Sequence, residues 1–196
     1  MTAVLDSPIS LYASLVDSPG PGDPFDRHVF ACILAAAAGE PERSLSEACG
    51  LSSAELNDLF DAYFPLAHNL LSALLPDGET GVDQWEEPDL RRLLVDNGTA
   101  GGREERWLAA MVARRSLLPN HLWEDLGLLS RRDLSGFLHR HFAPLAARNV
   151  RDMKWKKFFY KQLCEETGLS LCKSPVCDDC ADFAVCFGPE DQEHAP

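Results

Sequence analysis

The chain has 196 residues, 45% of them hydrophobic, which is enough to bury a core without disulfides and gives one or two domains. Thirty-one acidic against 18 basic side chains leave a net charge of −13, which repels phosphate backbones and anionic membrane surfaces, so neither nucleic acid nor membrane is an expected partner. The opening MTAVLDSPIS has no basic or apolar signal region, and the uncharged apolar run that includes Phe30 to Ala38 is too short to cross a bilayer; a soluble, cytoplasmic protein is expected.

Residues 1–24 hold five prolines or glycines between Pro19 and Pro24 and little apolar periodicity, so this stretch reads as a flexible N-terminal arm. Helical patterning starts at Phe25 and runs to Ala38, where Gly39 stops it. A second helix spans Ser52 to Phe64, with Ser52 and Glu55 spaced as a capping box, Leu51 placed as a staple and Pro65 closing the element. Leu74 to Gly102 is rich in glycine and proline and reads as a connector with one short helix around Asp89 to Val95. Helical periodicity resumes over Arg103 to Leu118.

An internal repeat organises these elements. Leu45-Ser46-Glu47-Ala48-Cys49-Gly50-Leu51 matches Leu122-Trp123-Glu124-Asp125-Leu126-Gly127-Leu128, and the stretch from Glu55 to Ala67 matches that from Asp133 to Ala146 with one inserted residue. Arg27 to Ile33 lies over Arg106 to Val112. The expected fold is all-α, with related helical units at 25–70 and 103–149 packed together inside a helical domain of residues 25–171. Cys32 falls opposite Met111 and Cys49 opposite Leu126, so both cysteines read as small buried hydrophobes.

Met153 to Thr167 forms the last helix, with Trp155, Phe159 and Leu163 on one buried face and Gly168 as its stop. A cysteine loop follows over residues 172–187, and a disordered tail over 188–196. Cys172, Cys177, Cys180 and Cys186 have the spacing C-x4-C-x2-C-x5-C, short enough for one loop to bring four thiolates to a single centre. Soft thiolates select an iron–sulfur cluster, zinc or copper(I) over magnesium and calcium. The run departs from the paired knuckles of structural zinc sites, yet a zinc-stapled interaction module and an electron-transfer iron–sulfur protein both stay open.

Six of the 18 basic residues, Arg148, Arg151, Lys154, Lys156, Lys157 and Lys161, stand immediately before this loop. Lys157, Lys161 and Cys164 share a helix face by their spacing. Lys154, Lys157 and Lys161 are candidates for docking a partner or meeting an anion; the plainer reading is a solvated helix face. No Ser/His/Asp order, phosphate-binding glycine loop or paired-carboxylate helix argues for a hydrolase or transferase, so no catalytic residue is assigned and the chain is expected not to be an enzyme.

The cysteine spacing, the preceding MKWKKFFYKQLCEETG block, HLWEDLGL from His121 and HFAPLAARN from His141 together resemble the NifQ family over residues 25 to 188. The resemblance implies a role in nitrogen fixation: an iron–sulfur protein, with a cluster of [4Fe-4S] or [3Fe-4S] type, that takes up molybdenum as [Mo-3Fe-4S] and supplies it for assembly of the nitrogenase iron–molybdenum cofactor. The implied partners are the nitrogenase cofactor scaffold (NifEN) and the nitrogenase iron protein (NifH). In such a cluster three irons each take one thiolate and molybdenum keeps three positions beyond its sulfides, more than one remaining cysteine can fill. Cys164, His141 and His121 are candidates for the additional molybdenum ligands. Each has a structural alternative: core cover for Cys164, a helix cap for His121, and replacement of Tyr63 of the first repeat for His141.

Overall fold

Proline and short polar side chains set the helix starts. The computed structural model describes residues 7–75, 80–81, 85–167, 178 and 183–188, and among these every regular element is helical, making the fold all-α. α1 (Pro8–Asp17) and α2 (Pro24–Ala38) both begin on a proline whose missing N–H costs nothing there, and Ser7 and Asp23 cap them through their side-chain oxygens. α3 (Leu45–Cys49) and α4 (Ser53–Tyr63) each carry a reciprocal capping box, Ser44 with Glu47 and Ser52 with Glu55. A 3-10 turn at Pro65–Ala67 leads to α5 (His68–Ser72).

The second half comprises α6 (Glu87–Asp96), α7 (Arg103–Ser116), α8 (Leu122–Asp125), α9 (Arg131–His141) and α10 (Ala143–Ala146). α11 (Trp155–Thr167) and α12 (Phe183–Phe187) complete the described chain. The buried apolar residues form one cluster running from Leu11 on α1 to Phe159 on α11. Among the described residues no helix is long and apolar enough to cross a membrane. The tail from residue 189 and the Gly168 stop lie outside the described residues.

The flexible arm expected over residues 1–24 is overturned from Ser7 onward. α1 packs along α2, burying Leu11 and Leu15, and Tyr12 Oη bonds His28 Nδ1 at 2.9 Å. The proline-rich stretch after it is a short link between two helices. α1 is also the counterpart of α6: Leu11, Leu15, Val16 and Asp17 align with Leu90, Leu94, Val95 and Asp96, the four leucines are buried, and α6 packs along α7 as α1 does along α2.

α1 to α4 are paralleled in order and length by α6 to α9. Gly50 and Gly127 end α3 and follow α8 at φ 67° and 68°, and Phe64 and Phe142 end α4 and α9 at φ −133° in both cases. The halves are cross-braced through the glycines. A Cβ on Gly127 would lie 2.8 Å from the carbonyl oxygen of Cys32 on α2, while a Cβ on Gly50 would lie 3.3 Å from that of Ala110 on α7. The equivalent of Cys32 is therefore Ala110, one residue from the Met111 pairing read off the sequence. Cys32 and Cys49 are both buried, and burial pushes each thiol up to about 12.

The charge buried on α6 is paired. Glu87, wholly buried on α6, receives Arg114 at 2.7 Å and Arg91 at 2.8 Å, which ties α6 to α7 where their carboxylate and guanidinium would otherwise be stranded.

Candidate metal centre

α11 enters the body with its first turn pinned. Trp155, Phe158 and Phe159 are buried, and the Trp155 indole N–H donates to Ser135 Oγ at 3.1 Å. Lys156 Nζ donates to the carbonyls of Leu118 at 2.6 Å and Asn120 at 2.7 Å and pairs with the Asp125 carboxylate. Burial holds the Lys156 pKa below the usual lysine range, with Asp125 opposing that shift. Lys156 is thus a structural anchor between α11 and the segment before α8.

Of the four motif cysteines, Cys186 is described; Cys172, Cys177 and Cys180 lie outside the described residues. Cys186 sits on α12, half-buried, and with Phe187 it packs against the core. Its carbonyl oxygen accepts from the Lys154 backbone N–H at 2.9 Å, so the last cysteine is seated at the head of α11. A half-buried thiol at the edge of the body is a donor of the kind a thiolate-bound cluster needs, whereas Cys32 and Cys49 are sealed and held protonated.

α12 contributes to two crevices, each of about 390 Å³. The first is lined by His121, Lys154, Trp155, Lys157 and Tyr160 together with Val185, the neighbour of Cys186. The second includes Arg148, Arg151, Lys161, Gln162 and Phe187. The structure thereby brings His121, Lys154 and Lys157 into one crevice beside the cysteine helix and puts Lys161 in the other. Lys154 departs from the expected surface position: it is 6% exposed, next to the buried Trp155 and with its backbone N–H bonded to the Cys186 carbonyl of α12. Lys157 is exposed, and Lys161 pairs with Glu165 one turn on.

The remaining candidates are dispersed. His141 Nε2 bonds Asp26 Oδ1 at 2.9 Å on the α2–α9 side, where Arg140 also pairs with Asp23 and Asp26. His121 forms a capping box with Glu124, whose carboxylate accepts from the His121 backbone N–H at 3.0 Å. Cys164 is half-buried near the end of α11. Among the described residues no three His, Cys, Asp or Glu side chains gather as a metal-binding group.

Two features went unnoticed in the sequence. Arg151 pairs with Asp178, a residue between Cys177 and Cys180, and its guanidinium also lies 5.7 Å from the Phe183 ring centre and 5.0 Å from that of Phe187. Those two rings stack at 4.6 Å. Their i, i+4 spacing around Cys186 was the available signal.

The family model described as NifQ matches residues 29–188. Among relatives, Protein NifQ of Rhodobacter capsulatus is 44% identical, covering 87% of this chain and 94% of its own length. Protein NifQ homolog of Sinorhizobium fredii is 42% identical over 87% of this chain and 75% of its own. Protein NifQ of Azotobacter vinelandii is 45% identical over 74% and 69%. No solved structure matches the chain. The matched span runs from within α2 through both glycine braces, the anchored α11 and all four cysteines, and the chain belongs to the NifQ family.

Proposed function

We propose that this chain binds a Mo–Fe–S cluster through Cys172, Cys177, Cys180 and Cys186 and supplies molybdenum for assembly of the nitrogenase iron–molybdenum cofactor, acting as a carrier and not as an enzyme. The observation that carries the reading is the four-cysteine motif lying inside the family-matched span, with its last member docked on the helical body. The chain's own contribution is placement. α11 is locked by Lys156 and the aromatic residues, α12 is hung on the Lys154 amide, and the thiolates supply the soft donors that iron and molybdenum take in such clusters.

The molybdenum positions left over by cysteine would be filled by weaker ligands, which suits a cargo that must leave. His121 gains from its place in the crevice beside α12, and His141 loses ground because Asp26 holds its ring. The proposed partners are the nitrogenase cofactor scaffold and the nitrogenase iron protein, with Lys157 and Lys161 as contact residues on the rim.

The test is elemental analysis of anaerobically purified protein, wild type beside the four single cysteine-to-alanine variants. Iron, sulfide and molybdenum together, lost or reduced in each variant while far-UV circular dichroism stays helical, is the expected result. Iron and sulfide that cycle redox states without taking molybdenum would mean electron transfer; a colourless zinc protein would mean a structural staple. Full metal occupancy in two of the variants removes the four-cysteine assignment.

A further inference from the structure

Arg151 stands on a turn that is held from both sides. The Asn149 side chain exchanges two hydrogen bonds with the Met153 main chain, both 2.9 Å. Arg131 donates to the Asp152 carbonyl at 3.0 Å and carboxylate at 2.8 Å. Asp152 itself sits at φ 53°, a left-handed conformation that an aspartate keeps where its surroundings fix it. The turn therefore presents Arg151 in a set direction.

From that direction Arg151 reaches both parts of the cysteine motif. Its ion pair goes to Asp178, within the C-x2-C pair, and its guanidinium carbon lies 5.7 and 5.0 Å from the centres of the Phe183 and Phe187 rings on either side of Cys186. A guanidinium can do both at once, because its edge carries the N–H donors while its face is free to lie against aromatic rings. Three residues on, the Lys154 backbone N–H bonds the Cys186 carbonyl, which sets the register of α12 on the same turn. The segment 149–154 is thus a fixed edge on which the two parts of the motif converge.

We propose that Arg151 is the positioning residue of the cysteine motif, clasping Asp178 and the Phe183–Phe187 pair to the body before any metal arrives. The purpose assigned to it rests on the four-cysteine reading above; the clasp itself does not. Ordering a chain segment around a metal costs conformational freedom, and contacts already made at Asp178 and at α12 reduce that cost.

The experiment uses the full-length, metal-free protein. Iodoacetamide labelling of Cys186, followed by mass spectrometry, is compared in wild type, Arg151→Gln, Arg151→Lys and Asp178→Asn. Arg151→Gln should label Cys186 about fivefold faster, since opening α12 no longer breaks the ring contacts and the ion pair. Arg151→Lys should fall between, because an ammonium keeps the pair with Asp178 and loses the delocalised guanidinium beside the rings. Cys32 and Cys49 should stay unlabelled in every variant, and anaerobic loading with ferrous iron and sulfide should be slower in Arg151→Gln. Unchanged Cys186 labelling in Arg151→Gln, or labelling that rises equally at Cys32 and Cys49, overturns the clasp. Faster Cys186 labelling in a protein whose wild type takes up no iron upholds the clasp and rejects the cluster instead.

Discussion

The carbonyl oxygen of Cys32 occupies the space into which any side chain on Gly127 would have to grow. A Cβ there would meet it at 2.8 Å and the Ala36 methyl at 2.7 Å, at a backbone φ of 68°. Gly50 makes the reciprocal approach with more room, its nearest neighbour being the Arg114 Cβ at 3.1 Å. Gly127→Ala should cost about 3 kcal/mol and Gly50→Ala about 1.5 kcal/mol, both measured by urea denaturation. Equal losses would mean that left-handed backbone strain alone matters and that the close approach does not.

Alkali should weaken the fold through its two sealed thiols. Burial pushes Cys32 and Cys49 from 9.0 up to about 12, so between those values the unfolded chain releases protons that the folded chain retains. Their stabilising contribution is complete below pH 9 and declines as the pH climbs toward 12. Tyr63, raised to about 12 by burial, acts in the same sense from its ordinary value of 10.0. The melting temperature should drop across this window, and the drop should be shallower in a Cys32→Ala, Cys49→Ala double variant; an identical slope would acquit the thiols.

The lysines of α11 divide into an anchor and a rim. Lys156→Met would leave the Asp125 carboxylate and the Leu118 and Asn120 carbonyls without their shared donor, a loss of about 3 kcal/mol in thermal or chemical unfolding. A Lys157→Gln, Lys161→Gln pair should leave stability within about 0.5 kcal/mol of wild type. If the rim serves docking, the pair should also deliver molybdenum to the cofactor scaffold more slowly, and the wild-type rate should fall with added salt. Salt-independent delivery by both proteins would leave these side chains as solvated surface.

His121 can be tested without disturbing the helix it begins. Ser44 fills the same capping position before α3, so His121→Ser keeps an N-cap while removing the imidazole from the crevice beside Val185. Circular dichroism and melting temperature should stay near wild type, with a lower molybdenum-to-iron ratio if the ring completes the metal's shell. His141→Gln should behave oppositely, lowering stability through Asp26 and leaving the ratio alone. A normal ratio in both would hand the open positions to exogenous or partner ligands.

What could be read from the sequence was local. Ser52 with Glu55, Gly39 and Pro65 act within one turn of chain, and the structure has the expected cap and stops there. α1 was hidden because the glycines and prolines after it dominate the composition of residues 1–24, although the correspondence of Leu11, Leu15, Val16 and Asp17 with α6 was present in the letters. Lys154 and Lys156 look alike in a basic run, and only tertiary contacts make one covered and the other an anchor. The Glu87–Arg114 pair joins residues 27 apart, and Arg151 meets Asp178 across the same distance, separations over which no periodicity operates.

Arg27 ties the front of the molecule together in a way that bears on how the chain can be shortened. Its guanidinium donates to the Leu15 carbonyl at 3.1 Å and also to the carbonyls of Ser18 and Tyr63, so one cation closes the end of α1 onto the end of α4. The family-matched span begins two residues later, at residue 29. A chain cut back to that span would lose the first turn of α2, the whole of α1 and the donor that the Tyr63 carbonyl uses, laying bare the apolar flank of α2 that Leu11 and Leu15 cover. A truncated chain starting at residue 29 should therefore melt well below the full chain, and one starting at Ser7 should melt near it.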